Sequence, residues 1–133
     1  MTHSKIDSSR FVEIKSWDQD KRLKYLLTQM LEQQEVWILT DEHGAVMLTT
    51  DDEDCIPVWP HEEFAAEWAT GDWQGFEAKS ISLKDWQAKW TRGLEDDELL
   101  VVAFPLPDED GIVIEPYELE EELEQQKRKS RKR

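Results

Sequence analysis

His61, Cys55 and Asp54 are the side chains of this chain that could do chemistry together. They supply an imidazole base, a thiol nucleophile and an orienting carboxylate within eight residues, and the same groups could bind a metal ion. The stretch has no glycine-rich nucleophile turn and no second histidine at helical spacing. The alternative is that His61 lies at a solvent-facing helix start and Cys55 in a buried strand. We therefore predict no catalytic residue, no cofactor and no metal site.

Three acidic runs could bind calcium or magnesium, which prefer oxygen ligands. They are Asp51–Asp54, Glu95–Glu98 and Asp108–Asp110. Gly111 follows Asp108 by three residues, whereas an EF-hand loop has its glycine at the sixth position. We interpret the runs as solvated turns. The alternatives are weak, nonspecific cation binding, or mimicry of phosphate on the basic site of a nucleic-acid-binding protein.

Tryptophan is the residue that most clearly indicates an interaction surface, because binding hot spots favour it. Trp59 lies between two prolines, Trp68 follows on a predicted helix, and Trp73 lies in a polar loop flanked by glycines. We predict a possible interaction surface formed by Trp59, Trp68 and Trp73 with His61. The alternative is that these rings form the core of a small domain, with Trp73 the most accessible of them.

Basic residues are concentrated at one end of the chain. The chain has 31 acidic and 16 basic residues, and six of the basic ones fall in the last seven positions. The remainder carries 10 basic against 31 acidic residues, a net charge of −21, which repels nucleic-acid phosphates and anionic lipids. We therefore divide the chain into a flexible N-terminus at 1–10, a single domain at 11–126 and a basic C-terminal tail at 127–133.

The basic tail predicts contact with nucleic acid, since basic segments bind phosphates by releasing counterions. In one alternative, the tail continues the last helix, whose C-terminal end favours cations. In another, it lies on the acidic body and contributes to self-association or solubility. The predicted contact residues are Lys127, Arg128, Lys129, Arg131, Lys132 and Arg133.

Cysteine content and hydropathy exclude other classes of protein. Cys55 is the single cysteine, so no disulfide forms within the chain, which fits a reducing cytoplasm. The sequence has no apolar signal core and no run near the about 18 apolar residues that a membrane span needs. We expect a cytoplasmic monomer or weak homodimer without a membrane partner, and a protein partner for which a basic protein is the candidate.

Hydrophobic periodicity predicts the elements that position these residues. Apolar residues at helical spacing predict a helix at about 17–34, with Ser16 and Gln19 as a capping box. Phe11, Val12 and Ile14 are expected to be extended or to pack ahead of this helix. Further helices are predicted at 61–68, at 83–93 with Ser82 as N-cap, and from Pro116 onward.

Six β-favouring segments complete the pattern. Residues 36–40 and 45–49 flank a turn that contains Gly44 and predict a hairpin. Residues 55–59 form a strand in which Pro57 indicates an edge or a strand start. The other strands are predicted at 76–81, 99–104 and 112–114, with 99–104 as the central one. The order of elements favours a single α+β domain, with a mixed, mostly antiparallel sheet and helices packed mainly on one face.

Several motifs combine prolines and tryptophans at fixed spacing. They are V-W-I-L at 36–39, Gly44, P-V-W-P at 57–60, Phe64, Ala65, Trp68, I-S-L-K-D-W at 81–86, Trp90 and V-V-A-F-P at 101–105. In these motifs the chain resembles domain of unknown function family 2750, a bacterial family found mainly in proteobacteria. The resemblance spans about residues 20–123 and implies no known activity, cofactor, partner or catalytic residue.

From these observations we expect a small acidic protein-interaction domain. The alternative is a nucleic-acid-associated accessory protein that uses its basic tail. A small enzyme or a divalent-cation binder is the third hypothesis.

Overall fold

The structure is a computed structural model that describes residues 8–42, 44–50, 53–69, 75–106 and 111–131. The predicted α+β class is confirmed. The elements in chain order are α1 (Ser8–Lys15), α2 (Gln19–Gln33), β1 (Glu35–Asp41), β2 (Gly44–Ala45), β3 (Leu48–Thr50), β4 (Glu53–Val58), α3 (Glu62–Trp68), β5 (Glu77–Ser82), α4 (Leu83–Asp85), a π segment (Trp86–Trp90), α5 (Thr91–Asp96), β6 (Leu100–Ala103), β7 (Ile112–Ile114) and α6 (Pro116–Arg131).

The start of the chain is more helical than its sequence pattern indicated. Helix α1 begins at Ser8 and contains the segment that we expected to be extended or to pack ahead of α2. The segment is helical, and it packs ahead of α2 with Ile14 fully buried. The hydroxyl of Ser16 donates to the carbonyl of Glu13 at 2.6 Å and so closes α1. The predicted cap of α2 is therefore wrong by two residues: Asp18 is the N-cap, and its side chain accepts the Lys21 amide hydrogen at 2.9 Å.

Within the described residues the strands form two sheets where one was predicted, in the orders β2-β1-β5 and β3-β4-β6-β7. The reason is a break in the hairpin. Thr40 pairs with Ala45 as expected, but the chain then leaves β1, and β3 pairs with β4. The backbones of Trp37 and Trp59 join the two sheets by a pair of 2.9 Å hydrogen bonds. Among the ladders of the described strands, only β4–β6 is parallel, so these strands are mostly antiparallel, as expected.

Strand β4 has neighbours on both sides, but its pairing with β3 ends at Cys55, so in these ladders Pro57 is paired on the β6 side alone, in line with the predicted edge position. Backbone groups of successive strand residues point to opposite sides. The carbonyl of Val58 accepts the amide hydrogen of Phe104 on the β6 side, whereas Trp59 exchanges its hydrogen bonds with β1. Pro57 therefore points its missing donor away from β6, and the parallel ladder loses no hydrogen bond there.

Strand β6 lies in the interior of its sheet, as its continuous apolar sequence predicted. Its connection to β7 requires Gly111, because a Cβ at that position would lie 2.3 Å from the carbonyl oxygen of Ala103. Helix α2 packs on β1 and β7, and α3 packs on β1 and β5. The largest fully buried side chains among the described residues include Trp59, Trp86, Arg22, Phe64 and Phe104.

Candidate functional site

The three tryptophans of the predicted interaction surface do not form one exposed surface in the described structure. Trp59 is 0% exposed, and its indole Nε1 donates to the carbonyl of Pro105 at 2.8 Å. It therefore belongs to the core, which was the alternative interpretation. Trp68 is half-buried, and its ring centroid lies 5.6 Å from that of Trp59. Trp73 lies outside the described residues.

His61 is buried at the N-cap of α3, so the expectation of a solvent-facing histidine is wrong. It is 7% exposed, and its Nε2 lies 2.7 Å from the hydroxyl of Tyr25 on α2. Burial lowers the pKa of His61, and the carboxylate of Glu63 opposes this change by favouring the charged ring. His61 is therefore a hydrogen-bonded contact between α2 and α3.

The three residues that could do chemistry together are not assembled into one site. Asp54 is exposed, whereas its neighbour Cys55 is fully buried. Adjacent side chains of a strand point to opposite faces, so Asp54 and Cys55 face different surroundings. The His61 ring packs instead against Tyr25 and Phe64, with centroid distances of 5.6 and 6.1 Å.

Side chains from α1, α2 and the turn between them cover the His61 ring. Together with His61 and Phe64 they form what we call the histidine cluster: Arg10, Phe11, Trp17, Tyr25, His61 and Phe64. Phe11 stacks on Phe64 with centroids 4.6 Å apart. The guanidinium of Arg10 lies 5.1 Å from the Trp17 ring and 5.7 Å from the Tyr25 ring. Burial raises the pKa of Tyr25, and Arg10 partly offsets this. No motif marked Tyr25 or Arg10 in the sequence, and the partner of the Tyr25 hydroxyl, His61, lies in a distant segment.

A second aromatic pair lies in the π segment, where the structure departs from the predicted regular helix. The amide hydrogen of Thr91 bonds to the carbonyl of Trp86 five residues earlier, the pattern of a π-helix, which often marks functional sites. The rings of Trp86 and Trp90 stack with centroids 5.8 Å apart and planes 10° apart. Trp86 is 0% exposed, and its Nε1 has no hydrogen-bond partner among the described residues, whereas Trp90 is half-buried.

Trp90 lines an open groove of about 250 Å³, which we call the Trp90 groove. Most of its lining is apolar, with one lysine and one aspartate. The lining residues are Ile56, Lys89, Trp90, Gly93, Leu94, Asp97 and Leu99. Trp86 and Trp90 both fall on the helix predicted at 83–93, but the sequence carries no signal that one ring would be covered and the other accessible.

The end of α5 determines how this groove is closed. Glu98 has the left-handed φ of 59°, and its amide hydrogen bonds to the carbonyl of Glu95, while that of Leu99 bonds to Leu94. These two bonds form a Schellman motif, which brings the apolar residue after the helix against the one inside it. The motif therefore places Leu94 and Leu99 side by side in the groove. The left-handed position of a Schellman motif usually holds glycine, and here it holds Glu98.

Leu99 also lines a second groove, of about 410 Å³, which we call the acidic groove. Three carboxylates and an exposed tyrosine face it. The carboxylates of Glu115 and Glu118, in that order, raise the pKa of Tyr117, because they disfavour a phenolate charge. The lining residues are Glu95, Glu98, Leu99, Leu100, Glu115, Pro116 and Tyr117. Glu95 and Glu98 belong to the predicted acidic run Glu95–Glu98. Of the three predicted acidic runs, it alone lies wholly within the described residues.

The described part of the predicted basic tail is helical, in line with the alternative that it continues the last helix. Helix α6 extends to Arg131, and the side chains of Lys127, Arg128 and Lys129 are exposed. Lys132 and Arg133 lie outside the described residues. The positive charges of these residues therefore lie on the exposed C-terminal end of α6, whose Leu119 and Leu123 are buried in the core.

The described part of the chain contains no group of three or more His, Cys, Asp or Glu residues that could hold a metal ion. None of the helices in the same ranges has the length and apolar character needed to cross a membrane.

Comparison with family models identifies the chain. The model of DUF2750, described as a protein of unknown function, matches residues 23–123. The chain belongs to the DUF2750 family. The match confirms the resemblance seen in the sequence, and it includes both the Trp90 groove and the N-terminal half of α6, whereas α1 lies before it. A search of curated proteins found no match.

Proposed function

We propose that this DUF2750 protein is a non-enzymatic interaction domain that binds a protein segment carrying an apolar side chain next to basic ones. The observation that carries this proposal is the junction of the two grooves at Leu99, which lines both. An apolar surface on one side and three carboxylates on the other match such a segment. The proposal keeps the predicted class of function and moves the surface from Trp59 to Trp90.

The Trp90 groove supplies the anchor for the apolar side chain. Ile56, Trp90 and Leu94 offer apolar surface in an open concave site, and tryptophan is enriched among residues that dominate binding energy. The groove is small, so it takes one or two side chains. This size fits a short linear segment better than a flat protein face.

The acidic groove supplies the charge complement. Lysine or arginine next to the apolar anchor would meet Glu95, Glu98 and Glu115, and the Tyr117 ring offers a cation–π surface. Glu98 occupies a left-handed conformation that costs a residue with a side chain about 1–2 kcal/mol. A carboxylate at a position that usually holds glycine supports a role for that side chain in binding.

A cytoplasmic location in a bacterium is part of the proposal. It is supported by the single buried cysteine, Cys55, which needs no oxidising compartment, and by the bacterial distribution that the family resemblance implied. A nucleic-acid-associated role remains the second candidate, because Lys127, Arg128 and Lys129 are exposed at the end of α6.

Titration with two synthetic peptides tests the proposal. One peptide carries a leucine flanked by lysine and arginine, and the other carries the same leucine flanked by aspartate and glutamate. We expect only the basic peptide to bind, with a change in tryptophan fluorescence because Trp90 lines the groove. Equal binding of both peptides, or of neither, contradicts the proposal.

Gly93 provides matched variants, because a Cβ added there meets no atom within 4 Å. Gly93→Ala leaves the groove open and stabilises the helix by about 0.5–1 kcal/mol. Gly93→Leu places a larger side chain at the groove without an internal clash. We expect Gly93→Ala to retain binding of the basic peptide and Gly93→Leu to lose it while its melting temperature does not fall below that of the unaltered protein.

A further inference from the structure

Helix α6 carries a pattern of charges that is its own mirror image with the signs reversed. The pattern consists of four acids, at positions 118, 120, 121 and 122, and four bases, at positions 127, 128, 129 and 131. Reflection through the point between Glu124 and Gln125 maps every one of these acids onto a base. The pairs are Glu118 with Arg131, Glu120 with Lys129, Glu121 with Arg128, and Glu122 with Lys127.

The helix dipole alone does not require this spacing. It favours acids near the N-terminus and cations near the C-terminus, but any order within each half would serve. Ion pairs within the helix do not account for the pattern, because no mirrored acid lies three or four residues before a mirrored base. Only Glu124, which is not one of the four acids, has this spacing, to Lys127 and Arg128. In two antiparallel α6 helices that cross at this centre, a mirrored acid and base on the facing side lie opposite each other.

One face of α6 is available for such a contact. Glu121, Glu124, Gln125 and Arg128 are exposed, and together with Glu120 they line a groove of about 450 Å³ formed by α6 alone. Glu121 and Arg128 are two helical turns apart, so they lie on the same face. The centre of the charge pattern falls inside this groove, where a two-fold axis would pass.

Glu120 shows how the helix is held in position beside this face. Its carboxylate accepts from Gln87 Nε2 at 3.0 Å and lies 3.1 Å from the hydroxyl of Thr91. Burial raises the pKa of Glu120, and these hydrogen bonds oppose the increase. Glu120 thereby fixes the edge of this face to α5 and the π segment. Leu119 and Leu123 hold the other side of α6 in the core, which leaves the Glu121–Arg128 face directed outward.

We propose that two copies of the chain associate through antiparallel α6 helices, with Glu121 of each copy paired to Arg128 of the other and Glu124 next to Gln125 of the second copy. The interface is symmetric, as most homodimer interfaces are. It is independent of the Trp90 groove. The formal net charge of −15 favours weak association, because the two bodies repel until salt screens them over about 8 Å.

Charge exchange on the full-length protein tests this proposal by sedimentation velocity after nuclease treatment, at about 0.15 M ionic strength. The unaltered protein is expected to show concentration-dependent dimers. Glu121→Arg and Arg128→Glu should each raise the dimer Kd at least about tenfold, because a symmetric contact contains each repulsive pair twice. Arg92→Glu, on the exposed side of α5, is the charge-matched control and should leave the Kd unchanged.

The decisive arm is a mixture of the two single variants. In the mixed dimer the new arginine at 121 meets the new glutamate at 128, and the native Glu121 meets the native Arg128, so association should return. The double variant Glu121→Arg, Arg128→Glu should also dimerise. Circular dichroism shows whether each variant is folded.

Three results would overturn the proposal: a monomer at every concentration, a variant Arg128→Glu that dimerises like Arg92→Glu, or two single variants that fail to associate when mixed. Larger species that are present only before nuclease treatment would also overturn it, and would assign the basic end of α6 to nucleic acid instead.

Discussion

The histidine cluster and the Trp90 groove are both rich in aromatic side chains, yet they have opposite relations to solvent. In the cluster, Phe64 is buried beneath Phe11, and the polar atoms of Tyr25 and His61 bond to each other. In the groove, Trp90 stacks on a buried ring and keeps its other side accessible. The difference lies in what covers the rings: α1 lies over the cluster, whereas nothing in the described structure lies over the groove.

This comparison shows that the chemical type of a residue did not reveal its role. His61 was the candidate base, and the structure uses it to connect two helices. Trp90 fell on a predicted helix, and its ring lines an open groove. Function in a small domain of this kind follows from which side chains are left uncovered, and we therefore assign binding to the groove and stability to the cluster.

The largest expected effect distinguishes the two regions by stability. Phe64→Ala should lower the free energy of unfolding by about 3–5 kcal/mol, because it leaves a cavity between Phe11 and Phe104 in a closed region. Trp90→Ala should cost less, since the ring is half-buried, but should abolish binding of the basic peptide. Urea denaturation measures both free energies. A larger loss for Trp90→Ala than for Phe64→Ala would reverse our assignment.

A pH titration sharpens the contrast, because the cluster contains a buried titratable group. The pKa of His61 is lowered in the folded state, so the unfolded chain binds the proton more readily below its own pKa of about 6.5. The contribution of His61 to the free energy of unfolding is therefore fully present above this pH, and it decreases as pH falls from about 6.5 toward the folded pKa. Urea denaturation at a series of pH values should show this decrease.

His61→Gln should remove that part of the pH dependence, since glutamine does not titrate. Trp90→Ala is the control and should keep the same pH profile as the unaltered protein, at lower overall stability. If His61→Gln leaves the slope between about pH 5 and 6.5 unchanged, the histidine is not buried as a neutral contact between α2 and α3.

Much of the fold could be predicted from local patterns. The apolar run of β6, the Ser82 cap, whose hydroxyl accepts the Asp85 amide hydrogen at 3.1 Å, and the start of α6 at Pro116 all follow from residue preferences within a few positions. The division into two sheets could not be predicted, because it depends on where the chain leaves β1 after Ala45. Beyond that point β3 pairs with the next strand, β4, and β4 is held by its parallel pairing with the distant strand β6, which no local pattern indicates.

The site was less predictable than the fold. The Trp90 groove combines residues from β4, the π segment, α5 and the residue before β6, and no local pattern shows which ring such an assembly leaves uncovered. The burial of His61 depends on Tyr25, which lies 36 residues earlier in the chain. The charge pattern of α6 was visible as a basic tail, but its relation to the acids emerged only once both halves were placed on one helix.

Glu98→Gly, compared with Gln34→Gly, is the measurement that tests the central claim most directly. Both native residues have a φ of 59°, so glycine should relieve backbone strain at each and raise stability, by up to about 1–2 kcal/mol. Only Glu98 lines the acidic groove. We expect Glu98→Gly to be more stable and yet to bind the basic peptide several-fold more weakly, by about 0.5–1 kcal/mol, whereas Gln34→Gly should bind as the unaltered protein does. Equal binding by both variants would contradict the assignment of binding to these grooves.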